Sequence, residues 1–175
     1  GTEMNEIAKI RDAGAEQAGA GTPESLPHNV EAEQQLLGAI LTNNDIYDRI
    51  AAIIEGAHFY EPVHARIWEV AASRISKNAL ASPVTLKAFL EDDEGLKELG
   101  GAKYLARLAG AAISSFAAKD YAQMIYDLAI RRELIGLGRD ISAKAGSVNV
   151  DSEPKEQIVE AEQALYKLGE AGQAS

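Results

Sequence analysis

From Tyr121 onward the apolar positions fall into two stripes at helical spacing. Tyr121, Ile125, Leu128 and Ile135 form one, and Ile130, Leu134, Leu137 and Ile141 the other, along about seven turns ending at Gly146. A polar break, residues 147–154, separates this segment from a second one. There the stripe is narrower: Ile158, Ala161, Leu165 and Leu168. Two helices joined by a short turn make an antiparallel hairpin, and arms this long project beyond a small globular body. One stripe can face the opposite arm, which leaves the other for a partner chain. The spacing therefore assigns a subunit or partner interface to Tyr121, Ile125, Leu128, Leu134, Ile135, Ile158 and Leu165. Arg131 and Arg132 interrupt the stripes in mid-helix and belong to the same candidate surface.

Upstream, the pattern predicts a head of five or six short helices over residues 26–113. Asn29 caps the first, with Glu31 and Glu33 in its first turn and Val30, Leu37, Ile40 and Leu41 facing inward, up to the break at Thr42-Asn43-Asn44. Asn44 is placed to cap a second helix over 45–55, closed by Gly56. Pro62 opens a third, to about Lys77, with Val63, Ile67, Val70, Ala71 and Ile75 inward. Ser82-Pro83 starts a short helix through Leu90, and Glu91-Asp92-Asp93-Glu94 opens the next turn rather than ending that helix. Helical pieces follow over 95–101 and 103–111 before the hairpin, 114–170. No stretch alternates apolar and polar residues for long, so the fold class is all-α. Residues 1–25 lack a sustained apolar stripe and are expected to form a mobile arm, with Gly1-Thr2 an expression remnant before Met4.

Composition narrows the chemistry. The 175 residues contain no cysteine, which excludes disulfides, thiolate zinc sites and a cysteine nucleophile. The formal net charge is −10, and the one adjacent basic pair is Arg131-Arg132, so tight DNA binding by this chain alone is not expected. An acidic surface favours solubility and partners with basic patches. No apolar run is long enough to span a bilayer, and the expected location is the cytoplasm. No Gly-Lys pair exists for a phosphate-binding loop, and Gly136-Leu137-Gly138 follows no strand. Neither catalytic nor cofactor-binding residues are therefore assigned. His58, Glu61 and His64 could form a metal cluster and a small hydrolase site, but their spacing matches no helical ligand pair, so capping and packing roles come first. Arg131-Arg132-Glu133 has two readings. One is a solvated face with Arg132 paired to an acid such as Asp127, and the other is a latch to a neighbouring subunit.

Three segments resemble the N-terminal domain of DnaB-type bacterial replicative DNA helicases. Pro27 to Gly38, containing Glu31-Ala32-Glu33-Gln34, is similar to that family's P-x-x-x-E-A-E-Q-x-[VL]-L-G opening. His58-Phe59-Tyr60, followed by His64 and Ile67-Trp68, resembles a second family segment. Tyr121-Ala122, with Ile125 and then Arg131-Arg132-Glu133-Leu134-Ile135, resembles the hairpin segment. Pro83-Val84-Thr85-Leu86 and Leu99-Gly100-Gly101 with Tyr104-Leu105 fill the gap, so the likeness runs over about 26–169. The resemblance implies that hairpins pair between subunits and that six copies form a collar. The collar would dock primase and a helicase loader, above a RecA-like ATPase ring that uses ATP and Mg²⁺. DNA would be bound only through the full ring, at the replication fork. On this reading the chain lacks the ATPase domain, and residues 171–175 begin its linker. A stand-alone helical adaptor is the alternative.

Overall fold

The computed structural model describes residues 25–151 and 153–173. The N-terminal arm expected over 1–25 falls almost wholly outside the described residues, as does the end of 171–175. Eight α-helices and two 3₁₀ turns make up the described chain, with no strand. The head holds α1 (Val30–Thr42), α2 (Tyr47–Ala51), α3 (Pro62–Ser76), α4 (Pro83–Lys87), α5 (Glu94–Leu99) and α6 (Ala102–Gly110). The hairpin is α7 (Ser115–Gly146) and α8 (Pro154–Gln173).

Helix α1 is the axis of the head. Asn29 Oδ1 accepts from the Ala32 amide at 2.9 Å, the expected cap. Val30, Leu36, Leu37, Ile40 and Leu41 are all buried, and so are Glu33 and Gln34. A helix buried almost all round needs neighbours on every side, and α3, α6 and α7 supply them. The crossing with α6 depends on Gly38. A Cβ there would lie 1.9 Å from the Leu108 carbonyl oxygen, so only hydrogen allows this approach.

The second predicted helix is broken up. Asn44 does not cap it, because its side chain bridges two distant segments, donating to the Ile40 and Ala81 carbonyls and accepting from the Ala81 amide. Asn43 caps a 3₁₀ turn (Asn44–Ile46) instead. Helix α2 then stops at Ala51, which lets Ile54 reach the core, and a second 3₁₀ turn (Gly56–His58) follows. The helix predicted through Leu90 ends at Lys87. Asp93 caps α5, as the acidic run implied, by accepting from the Leu96 amide at 2.9 Å. Gly100, at φ +115°, ends that helix in the left-handed conformation.

Helix α7 belongs to two bodies. Over its first roughly four turns, Ala118, Ala122, Ile125, Tyr126 and Ala129 are buried. Beyond Ala129 it has no buried side chain, and α8 is its partner. The physical boundary of the head therefore falls near residue 130 and not at 114.

Candidate functional site: the helical hairpin and its root

The point where α7 leaves the head is held by Arg132. Its guanidinium donates to the Pro27 carbonyl at 2.9 Å and to the His58 carbonyl at 2.8 Å. It also lies 5.4 Å from the centre of the Tyr60 ring, whose other stacking partner is His28 at 4.1 Å. Arg132 is not paired with Asp127, which accepts from Gln123, and its guanidinium is engaged within the chain. Burial lowers its pKa, against the opposing pull of Glu33. His58 is half-buried edge-on to Tyr126, and its Nδ1 accepts from the Glu55 amide. Burial lowers the His58 pKa too, with Glu55 and Glu133 acting in the opposite direction and Arg132 adding to the fall.

Deeper in the head lies a polar chain that sequence reasoning missed. The Glu33 carboxylate accepts from the Tyr60 and Glu61 amides and from His64 Nδ1 at 2.9 Å. His64 Nε2 meets the Tyr104 hydroxyl at 2.6 Å, and Gln34 donates to the same hydroxyl at 3.2 Å. All four side chains are buried. The chain joins α1, α3 and α6 and explains why polar residues sit on inward faces. His58 and His64 are thus engaged separately, one at the surface and one in the core. Among the described residues no group of three His, Asp or Glu side chains could hold a metal ion. The sequence signal for the polar chain was the Glu33–Gln34 pair on an otherwise apolar helix.

The arms of the hairpin meet along Leu137, Ala161, Ala164 and Leu168, all partly buried. Gln157 donates to the Lys144 carbonyl, and the Lys144 ammonium lies between Asp140 and Glu160. A groove of about 630 Å³ runs between α8 near Leu168 and the head near Ile54 and His58, and a second of about 700 Å³ adjoins it beside Arg132.

The nine predicted interface residues divide. Ile125 is 1% exposed and lies in the core cluster of the head, so it is corrected to an internal residue. Its stripe faces α1, because the head, not a partner, covers that part of α7. Tyr121 is half-buried against the same core, and Leu128 and Ile135 are half-buried. Arg131, Leu134, Ile158 and Leu165 are exposed. Ile141, Val159 and Tyr166 are exposed as well; Ile141 was placed in a stripe but not in the interface, and Val159 and Tyr166 were not singled out. Val159 and Tyr166 stand one heptad apart, like Ile158 and Leu165, and that spacing was readable in advance.

Among the described residues, a compact all-helical head and a long hairpin with exposed apolar side chains make up the molecule. The family model for the DnaB-like helicase N-terminal domain matches residues 25–127, and the chain belongs to that family. It is 41% identical over 150 residues to the replicative DNA helicase DnaB of Rickettsia conorii, covering 86% of this chain and 30% of that protein. The DnaB of Rickettsia bellii is 42% identical over 147 residues, covering 84% and 30%. The crystal structure of the N-terminal domain of DnaB helicase from Mycobacterium tuberculosis superposes with a TM-score of 0.71 at 25% identity, over 82% of this chain and 99% of that one. The chain spans about 30% of the length of the curated relatives it matches. Among the described residues no helix is long and apolar enough to cross a membrane.

Proposed function

We propose that this chain is the collar of a ring-shaped replicative helicase, in which the hairpin joins one subunit to the next. The observation that carries the reading is the set of apolar side chains left exposed on the hairpin, Leu134, Ile141, Ile158, Leu165 and Tyr166 among them. A second hairpin laid against them would remove this surface from water, at about 25 cal/mol per Å². The collar would serve a hexamer whose ATPase domain uses ATP and Mg²⁺ to separate DNA strands. Primase and a helicase loader are the expected partners of the assembled collar.

Sedimentation velocity over a wide concentration range tests the pairing. The wild type should form dimers or larger species as concentration rises, and a Leu134→Asp/Leu165→Asp double variant should remain a monomer. A wild type that stays monomeric at every concentration overturns the hairpin interface. Primase docking is tested by titrating a primase C-terminal domain into the associated form, where the absence of any complex rejects it.

A further inference from the structure

Between residues 26 and 113 the exposed large apolar side chains are Leu80, Val84 and Phe89, at 60%, 83% and 60%, and all three lie within residues 80–89. Isolated apolar residues at a surface need no explanation, but three in one short stretch do. The stretch is also held firmly. Arg74 Nε donates to the Leu80 carbonyl at 2.6 Å, and its guanidinium lies 5.3 Å from the centre of the Phe89 ring. Thr85 Oγ1 donates to the same carbonyl, and Asn44 grips both the amide and the carbonyl of Ala81. The apolar side chains are thus presented by a pinned backbone and do not belong to a slack loop.

Beside Phe89 lies a cleft of about 420 Å³ floored by Val70, Ala88 and Leu90. Its charged lining is Arg66, Glu69, Asp92 and Asp93. Arg66 and Asp93 hold each other in a two-point ion pair, so the remaining acidic residues of the lining are Asp92 and Glu69, whose carboxylate also packs against Gly56. The ledge therefore combines an aromatic platform with negative charge. A second copy of this chain is a poor fit, since it would bring a net charge of −10 to an anionic rim. No residue of the cleft comes from α7 or α8.

We propose that the 80–89 ledge and its cleft dock a basic amphipathic segment of another protein. An aliphatic or aromatic anchor packs on Phe89 and Val84 while a Lys or Arg reaches Glu69 and Asp92. This surface is separate from the hairpin and does not depend on its pairing.

Two synthetic helical peptides, titrated into the full 175-residue chain and followed by amide NMR, provide the test. One carries Leu and Phe anchors on one face with Lys on the other, and its counterpart has Glu in place of Lys. The Lys peptide should move the signals of Val84, Phe89 and Asp92, the Glu peptide should not, and added salt should weaken the effect. Phe89→Ala should weaken binding roughly ten-fold. Val84→Ser gives an independent check, because its side chain is more exposed still. The proposal is overturned by any of four results: no movement with the Lys peptide, movement confined to the hairpin, equal binding of both peptides, or ledge signals that shift with protein concentration alone.

Discussion

The guanidinium of Arg132 ties three separate stretches together: the approach to α1 at Pro27, the 3₁₀ turn at His58, and α7 itself. Its neighbour Arg131, with the same side chain, points into solvent. The two should differ sharply on truncation. Arg132→Ala leaves two carbonyls without their donor and uncovers Tyr60, for an expected loss of about 1–3 kcal/mol. Arg131→Ala should stay within about 0.5 kcal/mol of wild type. Urea unfolding of both variants checks this, and equal losses would remove the special role of Arg132. Asp93 supplies a pH prediction. Hydrogen bonding to Arg66 lowers its pKa from 3.8 to about 2, with burial opposing the fall and the Leu96 amide adding to it. The folded value lies below the unfolded one, so the stabilisation is complete above 3.8 and is lost as the pH falls through about 2. The stability gap between wild type and Asp93→Asn should therefore shrink over that window. A gap that stays constant with pH would show that the carboxylate charge contributes nothing.

At the level of elements, the close crossing of α1 and α6 rests on one missing methyl group. Gly38→Ala would drive a carbon into the Leu108 carbonyl region, and no side chain there can rotate away, because the obstruction is backbone. The helices must part, with an expected cost of about 1–3 kcal/mol despite alanine's better helix propensity. Thermal unfolding measures it, and a stabilised variant would show that the crossing has slack. Helix α7 teaches a related lesson. Its stripes were read as surplus apolar surface along the whole length, yet the head uses the first four turns or so. Ile125→Asp should accordingly unfold the head, visible as lost cooperativity in circular dichroism. The Leu134→Asp/Leu165→Asp variant should keep its unfolding midpoint and lose only self-association.

For the whole molecule, two exposed apolar surfaces emerge: the side chains on the hairpin, and the ledge at residues 80–89. Helix caps at Asn29 and Ser82 were legible along the chain, because a capping side chain acts on an amide only two or three residues away; Asp93 and Ser114 cap their helices in the same way. The all-α class followed from apolar periodicity for the same local reason. Within the candidate site, Leu134, Ile158 and Leu165, assigned to an interface from the sequence, have exposed side chains.

What the sequence determined by itself was local: the helical class, most helix starts, the hairpin's two arms and, through its motifs, the likeness to a helicase domain. What only tertiary structure decided was the allocation of each stripe. Periodicity says that a face is apolar but not which body covers it, so Ile125 and Leu134 looked alike until the head was in place. Asn44 and Arg132 were misjudged for a second reason. Their partners, at Ala81 and at Pro27 and His58, are 37 to 105 residues away, and no local rule reaches that far. The buried Glu33–His64–Tyr104 chain is of the same kind, since each link spans 31 residues or more and becomes favourable only once packing excludes water.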